Sequence, residues 1–222
     1  MPHWVQPVVE YMAKVGLKQT LLIAAESVVA SAIVGIVLGT LLTIRLRPVR
    51  AVIRLYIEIW RGLPIIVTIF LIYFALPGVP HVSLRLSAFQ AATIGLSLWG
   101  SAQVAEATRG AVQSIPREQH EAASALGFGW VGRHVHVVLP QALRRLLPPL
   151  VSLLVNVIQN STLAAIIGVG ELLQTGQRSV ERLTLQTGDP HAFEIYGGVM
   201  AVFFVISFPL TRLARYLERR LV

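Results

Sequence analysis

An all-α membrane bundle is the fold class that this sequence predicts, on three observations. Apolar residues make up 55% of the 222 and charged residues only 14%, against roughly a quarter charged in ordinary soluble domains. Five runs are nearly free of charge and reach the length, about 17–25 residues, that a helix needs to cross the hydrocarbon. Lysine and arginine gather in three segments that alternate crossing would place on one side of the membrane. Helix is the form expected of each run, because backbone groups in lipid must find their partners within the segment.

The runs follow in order. The first predicted span covers residues 19–44, where Glu26 is the only charge. Residues 62–84, 86–105 and 146–170 contain no Asp, Glu, Lys or Arg, and the last and shortest run is 195–211. The mean hydropathy of the whole chain, +0.67, agrees. Residues 1–18 mix polar and apolar side chains, and the stretch after them is too long for a signal-peptide core, so no cleavable signal is expected. With no internal repeat or low-complexity tract, residues 1–222 read as a single domain. Cysteine is absent, which excludes disulfides and thiolate metal sites.

The net charge is +8 and the isoelectric point about 10.8. Its distribution speaks for orientation rather than for nucleic acid. Arg45, Arg47, Arg50, Arg54 and Arg61 lie between the first two runs, and Arg109, Arg117, Arg133, Arg144 and Arg145 between the third and fourth. Arg212, Arg215, Arg219 and Arg220 follow the fifth. These segments hold 14 of the 19 Lys and Arg residues, and the positive-inside rule makes that side the cytoplasm. The other side has Lys14, Lys18, Arg85, Arg178 and Arg182, with Glu171, Glu181, Asp189 and Glu194 among them. Five spans then put the N-terminus outside and the C-terminus in the cytoplasm.

Between the third and fourth spans lies a polar loop, about residues 111–140. Ser114 is placed to cap a helix, with Pro116 in its first turn and Glu118 near the positive end of its dipole. The helix runs through Glu121, Ala122, Ala123, Ala125 and Leu126, and Gly127 and Gly129 stop it. Phe128, Trp130 and Val131 add an apolar surface that solubility does not require. Val135, Val137, Val138, Leu139 and Pro140 lead back to the membrane, and Pro148-Pro149 are expected to bend the start of the fourth span. Spacing alone favours an amphipathic connector lying on its own bundle.

The order is more specific than the spacing. Glu121-Ala122-Ala123, then Leu126-Gly127, then Val138-Leu139-Pro140 closely resembles the signature loop of the membrane permeases of type I ABC importers. Arg61-Gly62-Leu63-Pro64 with Phe70-Leu71-Ile72-Tyr73-Phe74 is similar to the second span of the permeases for polar amino acids. So are Ala105-Glu106 with Arg109-Gly110 and Ser114-Ile115-Pro116 to the lead into their loop. Gln159-Asn160-Ser161-Thr162-Leu163 and Ile167-Gly168-Val169-Gly170-Glu171-Leu172 resemble the end of their fourth span. The likeness covers about residues 16–215. Two positions depart from it: Glu118 stands where members often carry glycine, and Gln103 where a larger or aromatic residue is frequent.

The resemblance implies a five-helix type I permease fold in a bacterial cell membrane, importing polar amino acids by alternating access. It implies that Glu121, Ala122, Ala123, Ala125, Leu126, Gly127 and Pro140 belong to a coupling loop seated on an ATPase. It further implies a pair of ATPase subunits inside, a second permease copy or a homologous permease, and an extracytoplasmic solute-binding protein. No cofactor is then expected on this chain; ATP and Mg belong to the partner. The residues agree, since no Gly-rich loop ends in Gly-Lys-Ser/Thr and no acid–base set suggests an enzyme.

Polar side chains within spans are costly and usually face a cavity or a partner. Gln103 and Glu106 close the third span; Asn156, Gln159, Asn160, Ser161 and Thr162 fall in the fourth, the first three on one helix face. Such a stripe suits the amino and carboxylate groups of an amino acid, and suits interhelical hydrogen bonding in a dimer equally well. Glu106 is placed to meet a cationic group on a substrate. Glu26 reads as a cavity residue or a structural hydrogen bond, and Glu58 with Arg61 as a local ion pair. Trp60, Trp99, Tyr73 and Tyr196 read as interface anchors or packing residues. The six histidines show no metal pattern, and His134 and His136 read as surface residues of the loop. A self-sufficient secondary carrier or channel is the alternative. It would need coupling-ion carboxylates, for which only Glu26 and Glu106 are available.

Overall fold

The computed structural model describes residues 2–44, 46–80 and 85–221. Arg45, one of the arginines used for orientation, and residues 81–84, the end of the second predicted span, lie outside the described residues. All regular structure among the described residues is helical. We number the helices α1 (Val5–Leu41), α2 (Arg47–Gly62), α3 (Ile65–Gly78), α4 (Ala88–Gln113), α5 (Arg117–Ala125), α6 (Trp130–Ile167), α7 (Leu172–Thr187) and α8 (Ala192–Leu221).

By length and composition α1, α6 and α8 are able to cross a membrane, and α2 with α3, taken together across the break at Leu63-Pro64, pass the same test. At 26 residues α4 is also long enough, but more polar. Two of its hydroxyls are bonded locally: Ser97 donates to the Thr93 carbonyl at 2.6 Å and Ser101 to that of Leu98 at 2.9 Å, which lowers the cost of carrying them in a helix away from water.

The first helix begins well before the apolar run. Residues 12–17 form a π-helical stretch joining Val5–Tyr11 to Lys18–Leu41, and Lys14 pairs with Glu10 one turn earlier. The mixed polarity of residues 1–18 is therefore the two-faced pattern of a helix, with Met12 and Gly16 on the buried side. Among the described residues of the second apolar run, the helix α3 spans Ile65 to Gly78, with Pro64 directly before it.

The chain divides into two compact units, and the long helices pass from one to the other. The first comprises Met1–Val28, Pro64–Ser97 and Leu154–Pro209. Its core gathers Met12, Leu172, Leu183, Ile195 and Val199. Glu171, fully buried, caps α7 by accepting from the backbone N–H groups of Leu173 at 3.0 Å and Gln174 at 2.7 Å. Burial pushes its carboxyl up, and those two donors with the Thr20 hydroxyl pull it back.

The second unit comprises Val29–Leu63, Leu98–Leu153 and Leu210–Val222. Here α1 and α4 approach closely along small residues. A Cβ on Gly35 would lie 2.7 Å from the Ser101 carbonyl oxygen, one on Gly39 2.6 Å from Thr108 Cβ, and one on Gly100 3.0 Å from Ser31 Cβ. Ser31, Gly35 and Gly39 are four residues apart, the small-xxx-small stripe by which helices meet where lipid offers no hydrophobic drive. Leu42, Ile53, Ile57, Ala102 and Ala105 form the adjoining core, and the Tyr56 hydroxyl meets that of Ser101 at 2.7 Å.

The unit boundary coincides with the charge boundary. The second unit holds 14 Lys and Arg against five Asp and Glu, a formal +9; the first holds five against six, −1.

Candidate docking surface and pathway residues

The loop between α4 and α6 is built by a helix start, a glycine stop and a π turn. Pro116, in extended conformation, precedes the first residue of α5. Ser114 is not the cap expected there: its hydroxyl donates to the Ala111 carbonyl at 2.8 Å, and both its oxygens receive Arg145 Nη1, each at 2.8 Å. Proline fixes the turn into the helix without needing a donor, which leaves the serine free to bind the loop to α6. At the other end Gly127 takes the left-handed conformation, φ +82°. The Phe128 N–H reaches back to the Ala123 carbonyl at 3.1 Å and the Gly127 N–H to that of Ser124 at 3.0 Å, the double closure of a glycine-capped helix.

This geometry sorts the candidate residues by face. Ala123 is buried at 2% exposure, while Leu126 stands 78% exposed, and Glu121, Ala122, Ala125 and Gly127 share its open side. Glu121 pairs with Arg117 at 2.8 Å across a helical turn, both well exposed. Val131 and Val135 continue the apolar surface at 65% and 51% exposure. Pro140 is exposed as well, but it lies inside α6 and not at its start. The π turn of residues 134–138, in which the Leu139 N–H bonds the His134 carbonyl, sits directly before the proline and provides the slack its ring requires. The helix continues through Pro148-Pro149 to residue 167.

Val112, Ile115, Val138 and Ala142 form a small core behind the docking face, and Gln141 Nε2 donates to Gln119 Oε1 at 3.2 Å. His134 is not the surface residue its sequence position suggests. At 3% exposure, its Nδ1 donates to the Trp130 carbonyl at 2.8 Å and its Nε2 lies 3.0 Å from Thr43 Oγ1. His134→Leu is expected to lower stability by about 1–3 kcal/mol, because both ring bonds go, the one to Thr43 among them. A thermal unfolding curve of the detergent-solubilised chain reads this directly, and an unchanged midpoint would show the ring to be filler.

The pathway candidates fall into two groups, one in each unit. Gln103 is half-buried on α4. Glu106, next on the same helix, carries its own cation: Arg109 Nε donates to both carboxylate oxygens at 3.1 and 3.2 Å, Nη2 adds a third bond, and Arg54 and Arg61 contribute positive potential. A carboxylate already neutralised is a weaker receptor for a cationic substrate than the bare sequence suggests. Glu58 and Arg61 form no ion pair among the described residues. On α6, Asn156 and Gln159 are exposed, and Asn160 is half-buried with its amide on the Asn156 carbonyl at 2.8 Å. The helix then tightens to a 3-10 turn over Ser161–Ile167. Ser161, four and three residues after buried Val157 and Ile158, faces inward, fully buried and bonded to the Ile158 carbonyl at 2.8 Å, and Thr162 donates to the Gln159 carbonyl at 2.8 Å. The stripe that remains open is Asn156, Gln159 and, in part, Asn160.

Sequence reasoning passed over the Ser31, Gly35, Gly39 stripe, although its four-residue spacing was legible. Glu26 stands exposed on α1 with no ion pair among the described residues. Trp60 packs against the α2 core beside Tyr56, ring centres 6.3 Å apart, in agreement with a packing role.

Regular structure among the described residues is all helical, with an uncovered apolar face on α5 and open amides on α6. The family model for the inner membrane component of binding-protein-dependent transport systems matches residues 31–222, and the chain belongs to that family, the multi-pass permease subunits of ABC importers. It is 36% identical over 206 residues to the glutamine transport system permease protein GlnP of Escherichia coli, covering 93% of this chain and 91% of that one. To the probable glutamine ABC transporter permease protein GlnM of Bacillus subtilis it is 31% identical over 207 residues, with the same coverage. Among solved structures, an amino acid ABC transporter crystallised with histidines matches with a TM-score of 0.81 at 27% identity over 99% of both chains. A permease chain of the MetNI methionine ABC transporter matches in fold, TM-score 0.79 at 19% identity.

Proposed function

We propose that the chain is the permease of an ATP-driven importer for a polar amino acid. In this reading it crosses the membrane five times, through α1, α3, α4, α6 and α8, with its N-terminus outside and its C-terminus in the cytoplasm. The segments that hold 14 of the 19 Lys and Arg residues then lie on the cytoplasmic side, as positive-inside orientation requires. Two copies, or this chain and a homologous one, form the pathway. A solute-binding protein delivers cargo outside, and a pair of ATPase subunits binds ATP and Mg inside.

The observation that carries the reading is the open face of α5. Leu126, 78% exposed, stands with Ala122 and Ala125 on a helix whose other side is held by Ala123 and the loop core. An apolar face of that kind at the end of a rigid support is a handle, and movement of a docked ATPase passes through it to α4 and α6. The relatives named for glutamine and amino acid transport support the cargo class, and the open amides of Asn156 and Gln159 suit α-amino and carboxylate groups.

The test is ATPase activity of the reconstituted complex across a panel of amino acids. Stimulation by one or a few polar amino acids, with Gln159→Leu raising the half-maximal concentration at least about tenfold through loss of charge-assisted bonds, is expected. Uptake by the chain alone without ATP would reject the reading in favour of a secondary carrier.

A further inference from the structure

Where the docking loop meets the cytoplasmic-side ends of α1, α2 and α4, residues of the second unit line a cavity of about 300 Å³, near the lower end of the ligand-pocket range. Among the described residues, the charged or titratable side chains lining it are all basic: Arg50, Arg133, His120 and His134. The Thr43 hydroxyl, the Gln113 amide and the Trp130 indole supply further polar groups.

Two donors at this cavity lack acceptors. Arg133 gives Nη1 to Ser124 Oγ at 3.0 Å, yet its Nε is sealed from solvent without a partner, and so is Trp130 Nε1. Buried N–H groups are almost always bonded. Two buried N–H groups without partners, on residues that line the cavity beside a second guanidinium, with no carboxylate among the described lining residues, mark it as a place able to receive an anion. Burial, and after it the charge of Arg133, push His120 below its ordinary value.

We propose that this cavity binds a phosphate group, free or as the headgroup of an anionic phospholipid, and that the bound phosphate joins the docking loop to the ends of α1, α2 and α4. Guanidinium forks match phosphate oxygens two at a time, and Thr43 and Gln113 on the same lining add polar side chains. The site is separate from the open face of α5, whose outward residues do not line it. A phosphate here would stiffen the element that transmits movement from the docking helix.

The test uses the purified full-length chain in nanodiscs. Inorganic phosphate is titrated at constant ionic strength against chloride in phosphatidylcholine discs, and in parallel the discs are made with phosphatidylglycerol. A saturable rise in the unfolding midpoint with phosphate identifies the free anion as ligand; a rise with phosphatidylglycerol alone identifies the headgroup. In either case Arg133→Gln and Trp130→Phe should weaken the response at least fivefold. Arg50→Gln, whose side chain makes no bond among the described residues, gives the same reading should Arg133→Gln fail to fold. Absence of any response beyond chloride, or variants that respond like the parent, would overturn the proposal.

Discussion

Gly127→Asp is expected to reduce ATP-driven uptake by the reconstituted complex to background while the chain still inserts and folds. The permease itself loses little. Gly127 has φ +82° and nothing within 4 Å of where a Cβ would stand, and aspartate tolerates the left-handed region better than most residues, at a cost of roughly 1–2 kcal/mol. The docking face loses much more, because a carboxylate now stands beside Leu126 on a surface meant to be desolvated, and burying an unpaired charge costs far more than the strain. Glu121→Lys should act in the same direction. Its ion pair with Arg117 is exposed and worth at most about 1 kcal/mol, so an uptake defect cannot be blamed on unfolding. Uptake from vesicles, with the amount of inserted chain measured alongside, reads both variants; normal uptake by both would remove the loop from the coupling path.

Gly39→Leu is expected to have the largest effect on the chain itself. Its first side-chain carbon would strike the Ala105 carbonyl oxygen and Thr108 Cβ, one of them backbone, so α1 and α4 must separate. Overpacking usually costs about 1–3 kcal/mol, and a leucine against backbone belongs at or beyond the top of that range. The loss should show as poor membrane yield and a lowered unfolding midpoint. Gly110→Ala is the control: it lies on α4 in the same unit with nothing within 4 Å, and should be neutral or more stable by about 0.5–1 kcal/mol. Equal behaviour of the two variants would mean that the small-residue stripe is not a contact that matters.

What could be read from the sequence follows from what leaves a local trace. The docking helix was legible because a proline before it and a left-handed glycine after it both act within a turn. Charge asymmetry was legible because it sums over segments, and it reappears as the +9 and −1 units. Ser114 was misassigned because its competing partner, Arg145, is 31 residues away. His134 was placed on the surface because the Thr43 that covers it lies 91 residues earlier. The early start of α1 was hidden by Lys14 and Glu10, whose pairing is a helical signal only once the helix is granted. Ser161 was counted with Asn156 and Gln159 among the pathway residues, although its place three and four residues after Ile158 and Val157 puts it on the apolar, buried face. At Glu106 the neutralising Arg109 was in plain view three residues on, and its consequence for cargo charge was the inference to draw.

The central claim is that the open face of α5 seats an ATPase, and the absence of cysteine from the chain allows one measurement to address it. Leu126→Cys and, as comparison, Leu185→Cys, 88% exposed on α7, are assembled with the ATPase and treated with a short thiol-to-amine cross-linker in membranes. The account predicts a cross-link from position 126 to the ATPase subunit and none from position 185. A complex with substrate-stimulated ATPase activity that gives no product at 126, or gives it at 185 instead, would contradict the account.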